Sequence, residues 1–156
     1  MANLYDQTVE GGKELTVANG VTAFDTTVLG QGYKRGDMTI EAGGSASRTY
    51  LDGTYSLMTV KNGGSAVSTF VRNDGTELVV SKGAYTNSTV VKTGGVMTMK
   101  AGGSALNVNI ENTGNFYLDV DGATYLTGTS HGKAVEVRNN RISNITVYGA
   151  YYMTVA

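Results

Sequence analysis

The chain has 156 residues, with 22 glycines, no proline and no cysteine. The lack of cysteine excludes disulfide staples and thiolate chemistry, and 12 basic against 13 acidic residues give no electrostatic case for binding nucleic acid or an anionic membrane. No apolar run approaches the roughly 20 residues that span a bilayer, so no membrane insertion is expected. The glycine content predicts many tight turns, because glycine reaches positive φ at no steric cost.

The opening stretch, MANLYDQTVEGGKEL, has neither a basic start nor an apolar core and is not a secretory signal. The expectation is a protein that acts where it is made, or a segment of a longer secreted chain. Within it, LYDQTVEGG reads as the tail of a repeat unit, with Val9 in an aliphatic position.

From Leu15 onward one phrase recurs. Anchored on its first apolar residue, it starts at Leu15, Met38, Met58, Leu78, Met97 and Tyr117, with a glycine five positions later each time. Successive anchors lie 23, 20, 20, 19 and 20 residues apart, a period of about twenty with one three-residue insertion. The second half of each unit keeps register as well. Ala23, Ala46, Ala66, Thr86 and Ala105 form one column, Thr26, Thr49, Thr69, Thr89 and Val108 a second, and Val28, Leu51, Val71, Val91 and Ile110 a third.

Each unit therefore predicts two short strands, as in Met58-Thr59-Val60 and Thr69-Phe70-Val71, with alternate residues on one face. The pattern has period two, not 3.6, which disfavours helices. An antiparallel meander could use the same spacing. The columns favour parallel stacking, because a unit that cannot bury its apolar face alone buries it against copies of itself. The predicted fold is an all-β parallel β-helix or solenoid of six to seven coils. At about 4.8 Å per coil it makes a rod on the order of 30 Å long.

The repeat breaks in two places. The first is LGQGYKRGD (Leu29 to Asp37), which holds the three extra residues and is expected to bulge from the rod. It contains the tripeptide Arg35-Gly36-Asp37, a candidate partner-binding motif of the kind integrin ligands present on loops. The second comes after Gly122, where the Thr column meets Gly128 and the aliphatic column meets Ser130. Residues 1–125 are read as the solenoid and 126–156 as a C-terminal cap or interaction edge of the same domain. Tyr148, Tyr151 and Tyr152 are candidates to plug the open coil end or to meet a partner.

Chemistry is sparse. His131 is the sole histidine, which excludes a histidine-rich metal site, and its neighbour Ser130 is not expected to form a Ser–His geometry with it. DVDGAT (Asp119 to Thr124) starts like a calcium loop, but its twelfth position is Ser130, where a bidentate glutamate is required. The register puts Asp119 on an inward column, so either the coil opens there or Asp119 has a partner. No cofactor and no enzymatic activity are expected. Ser45, Ser65 and Ser104 share a column beside the double glycine and are expected to face solvent at a turn.

Taken together, MTIEAGGSASRTYL, MTVKNGGSAVSTFV and MTMKAGGSALNVNI resemble the AIDA-type repeats of bacterial autotransporter adhesin passengers. The resemblance covers roughly Leu4 to Tyr125. It implies a right-handed parallel β-helix displayed on a bacterial surface or secreted, used for adhesion or self-association. The partners it implies are the same chain, another β-solenoid, or a host or neighbouring-cell surface. It further implies O-glycosylation by heptosyltransferases, with Ser45, Ser65 and Ser104 as candidate acceptors. The alternative reading is a carbohydrate-binding or lyase-like β-helix fragment of the phage-spike or polysaccharide-active type.

Overall fold

The structure, a computed structural model, describes residues 2–74, 76–111, 113–139, 141–143 and 153–155, the last two stretches by backbone alone. All the regular structure described is β. Strands β1 (Leu4–Tyr5) and β2 (Thr8–Glu10) precede the first full coil. Six coils of about twenty residues follow: β3 (Glu14–Val17) with β4 (Thr22–Gly30), β5 (Gly36–Ile40) with β6 (Ser45–Gly53), β7 (Ser56–Val60) with β8 (Ser65–Val71), β9 (Glu77–Val80) with β10 (Tyr85–Val91), β11 (Val96–Met99) with β12 (Ser104–Ile110), and β13 (Asn115–Val120) with β14 (Tyr125–Ser130). The chain continues through β15 (Lys133–Arg138), β16 (Arg141–Ser143) and β17 (Met153–Val155). First strands stack into a seven-stranded sheet and second strands into a ten-stranded one. The solenoid read from the repeats is therefore the architecture found.

The register is the one the columns predict. Met38, Met58 and Leu78 pair in sequence, as do Ile40, Val60 and Val80. On the larger sheet Ala46 pairs with Ala66, Thr49 with Thr69 and Leu51 with Val71. Met58, Val60, Ala66, Thr69 and Val71 are all fully buried. Burying a Val- or Met-sized side chain stabilises by about 1.5–3 kcal/mol, a gain each coil realises only against its neighbours.

A further column bends the second strand. Asp25, Arg48, Ser68, Ser88 and Asn107 all adopt φ between 52° and 58°. This left-handed residue turns the strand between its Ala and Thr positions. Both therefore face the core although they stand three residues apart.

The three extra residues of the first break form a tight hairpin. Gln31 and Lys34 exchange two backbone hydrogen bonds of 3.0 Å, and Tyr33 at the tip is 98% exposed.

In the sixth coil the sequence reading is off by one. Phe116, not Tyr117, pairs with Met97, and Leu118 pairs with Met99. Leu118 and Val120 are buried and Asp119 faces outward. A one-residue slip in a period-two strand reverses every side chain, so the expected buried aspartate does not arise.

Parallel pairing continues through β14, where Gly128 stands beside Val108 and Ser130 beside Ile110. The chain then reverses at His131 and Gly132, both at positive φ. β15 runs antiparallel to β14, and β16 antiparallel to β15. β17 returns to the smaller sheet, parallel to β13, and repeats the first-strand phrase as Met153-Thr154-Val155.

Candidate functional site

A solenoid core is committed to stacking, so what the molecule offers a partner lies on its outward columns and corners. Outward residues of successive coils stand in register, which puts like side chains side by side. Tyr50 and Phe70 stack with centroids 5.1 Å apart, and Tyr5 and Phe24 at 5.2 Å. The Arg72 guanidinium lies 5.8 Å from the centre of the Tyr50 ring, and Val67, in a separate outward column of the same sheet, is 39% exposed. Polar residues repeat in the same way: Asn107 donates to Asn87 (2.9 Å), Thr129 to Asn109 (2.9 Å) and Thr98 to Glu77 (2.6 Å).

The corners carry ion pairs that join neighbouring coils. Arg48 holds Asp25 with two hydrogen bonds of 2.5 and 2.6 Å. Lys61 meets Glu41 at 2.7 Å, Arg72 meets Asp52 at 2.6 Å, Lys100 meets Asp119 at 3.5 Å and Lys92 meets Glu111 at 3.7 Å. Asn73 also donates to Asp52. The hydrogen bonds from Arg48 are the main reason the Asp25 carboxyl is held below the usual carboxylate range. Asp121 is held below it chiefly by the Thr124 hydroxyl, within a turn that Ala123 N also closes at 3.0 Å. That turn is what DVDGAT builds. Among the described residues no group of three or more His, Cys, Asp or Glu is placed to hold a metal ion.

The tripeptide Arg35-Gly36-Asp37 does not ride on the protruding tip. The hairpin closes at Lys34, and Gly36 and Asp37 already belong to β5, where Asp37 pairs with Glu14 and Leu57. Arg35 Nε and Asp37 Oδ1 are 2.7 Å apart and bind each other. Tyr33 occupies the exposed tip instead.

Ser45, Ser65 and Ser104 do share an outward column, interrupted by Tyr85. They open strands β6, β8 and β12 and are half-buried, with the Ser45 and Ser65 hydroxyls bonded at 2.9 Å. Tyr148, Tyr151 and Tyr152 lie outside the described residues. Ser130 Oγ and His131 Nδ1 are 2.9 Å apart, a bond between sequence neighbours that the sequence reading did not foresee. The left-handed turn at His131 (φ 52°) brings them together.

The sequence reading also missed the stacked aromatics, although the signal was present. Tyr50 and Phe70 occupy the same position of successive units, midway between the Thr and aliphatic columns.

Stacked parallel coils with an aliphatic interior and a surface of repeating outward columns define a β-solenoid scaffold. Neither a family model nor a curated protein matches the sequence. Among solved structures, a hyper-glycosylated TibA fragment, its glycosylation catalysed by TibC, matches with a TM-score of 0.60 and 25% identity over 76% of this chain. The match covers 47% of that chain, so this one spans about half its length. TibA is an AIDA-type autotransporter adhesin, in line with the resemblance carried by the repeats. The present chain is a β-solenoid module similar in fold to that fragment.

Proposed function

We propose that this chain is a non-enzymatic adhesive stretch of a bacterial surface or secreted protein, and that it associates with another copy of itself through the outward columns of the larger sheet. The structural likeness to an adhesin passenger fragment supports this reading. So does the in-register outward column containing Tyr50 and Phe70, flanked by the Asp52–Arg72 corner. A partner with the same coil spacing meets such columns repeatedly, so weak contacts add along the rod. Sedimentation velocity across a concentration series is expected to show reversible association that Phe70→Asp weakens. A chain that stays monomeric at high concentration refutes self-association. Display of the segment on a bacterial surface, followed by cell settling, separates attachment to other surfaces from pairing between copies.

The same reading extends to modification. TibA is hyper-glycosylated, and Ser45, Ser65 and Ser104 stand in one outward column. We propose them as O-glycan acceptors. Intact mass after co-expression with a heptosyltransferase is expected to show added sugar that Ser→Ala at all three removes. Unchanged mass in the parent chain overturns the assignment.

A further inference from the structure

Three hydroxyls in the interior stand out. Thr26, Thr49 and Thr69 are fully buried, and their Oγ1 atoms have no hydrogen-bond partner among the described residues. They occupy one inward column of β4, β6 and β8, and each sits three residues after an alanine: Ala23, Ala46 and Ala66. A buried hydroxyl without a partner costs about 1–3 kcal/mol, so three in succession require an explanation.

The fourth coil supplies it. There the alanine position is Thr86, and its hydroxyl lies 3.1 Å from that of Thr89, the next member of the threonine column. Thr86 is fully buried and pairs with Ala66 on one side and Ala105 on the other. The coil interior next to an alanine of this column therefore has room for a hydroxyl, at bonding distance from the threonine three residues on. Ala46 sits in the same setting, flanked by Ala23 and Ala66. Neighbouring strands are about 4.8 Å apart. The three threonine hydroxyls do not bond one another, and this spacing suits one water between neighbours at about 2.8 Å from each. Buried water is found where otherwise unsatisfied polar groups give it two to four partners.

We infer that the first three coils hold an internal file of water bridging Thr26, Thr49 and Thr69, in the space that the Thr86 side chain fills in the fourth. The ligand is water alone. The site runs along the rod axis between the alanine and threonine columns, and the fourth coil ends it, where the Thr86 hydroxyl meets that of Thr89.

Water–protein cross-relaxation by NMR on the intact chain tests this. Long-lived water is expected at the methyls of Thr26, Thr49 and Thr69 and not at Thr89. Thr49→Val interrupts the file and is expected to lower the thermal midpoint by roughly 2–4 °C. A dry interior predicts the opposite sign, because the valine then removes an unsatisfied hydroxyl. Ala46→Thr copies the fourth coil and should remove the water signal at Thr49. Should that variant prove overpacked, Thr86→Ala is the reverse test and should create a new water signal at Thr89. Absence of bound water from the parent chain, or a higher midpoint for Thr49→Val, overturns the inference.

Discussion

The coils between β5 and β12 and the ribbon from β14 to β16 are built from the same kinds of residue, yet one stacks in parallel and the other folds back on itself. In the coils every inward position of the second strand is Ala, Thr or aliphatic, and most meet their like one period away, with Thr86 among alanines and Val108 in the threonine column as exceptions. In β14 the corresponding positions are Leu126, Gly128 and Ser130. The last two give a following coil nothing to bury, and the chain reverses immediately afterward. A Cβ on Gly128 would lie 1.9 Å from the Val108 carbonyl oxygen, so glycine is also what lets β14 approach β12 at this irregular point in the register. Parallel stacking lasts as long as the inward columns are filled, and a hairpin takes over where they empty.

The largest test of that difference is truncation of the core in each region. Met58 is fully buried with a like residue above and below it. Met58→Ala is expected to cost about 2–5 kcal/mol in urea unfolding. Val137, also fully buried, belongs to the antiparallel ribbon, and Val137→Ala removes two methyl-sized groups, about 1.6 kcal/mol. Hydrogen exchange should show the Met58 change spreading to neighbouring coils while the Val137 change stays in the ribbon. Equal spread from both sites would mean the ribbon is an integral part of the stack.

A second comparison sets two left-handed glycines against each other. Gly63 (φ 76°) turns the corner of the third coil, where an added Cβ would lie 3.3 Å from Ala42 Cβ. Gly132 (φ 75°) makes the reversal into β15 with nothing within 4 Å of that point. Both Gly→Ala changes carry the left-handed penalty of about 1–2 kcal/mol, and Gly63→Ala adds the contact across coils. Chemical denaturation is expected to rank Gly63→Ala as the more damaging. The reverse order would place the stability of the rod in its terminal turn.

The columns were legible because a solenoid writes its contacts into the sequence once per coil. Met38, Met58, Leu78 and Met97 are core residues and Leu15 packs half-buried against the core, as their spacing to the following glycine indicated. The sixth coil was misread because that spacing fails there. Phe116 stands six residues before Gly122, and the apolar alternation Phe116, Leu118, Val120 was the better guide. The left-handed column went unseen because Arg48 and Ser68 carry no compositional mark of positive φ. Its trace was the three-residue gap between inward Ala and Thr, which a straight period-two strand does not allow. Ion pairs between coils were hidden for another reason: outward residues vary freely, so charge partners one period apart do not form a conserved-looking phrase.

A third and smaller effect concerns those pairs. Arg72 joins two coils by binding Asp52 and lies over Tyr50. Arg138, in contrast, binds Glu136 within its own strand. Exposed pairs contribute about 0.2–1 kcal/mol. Arg72→Ala should fall at the upper end, because a ring contact and a link between coils are lost together, and Arg138→Ala near zero. Raising the salt concentration should shrink the first effect. A salt-independent loss at Arg72 would assign its role to packing on Tyr50.

The smallest effect is one of pH and again separates rod from ribbon. Asp25 is bound by Arg48 of the next coil, and its carboxyl titrates below its ordinary value of 3.8 because the hydrogen bonds favour the charged form. A lowered folded-state value means the unfolded chain binds the proton first as acid is added. The contribution of the pair is therefore fully present above the ordinary value and is lost as the pH falls through the lowered one. Thermal midpoints of the parent chain and of Asp25→Asn should differ at neutral pH and converge in strong acid. Both members are exposed, so the difference is expected to be small and reduced by salt. Hydrogen exchange should confine it to the coils of β4 and β6 and leave β15 unchanged. If the two proteins kept the same separation at every pH, the Asp25 side chain would be acting through its shape at the left-handed corner and not through its charge.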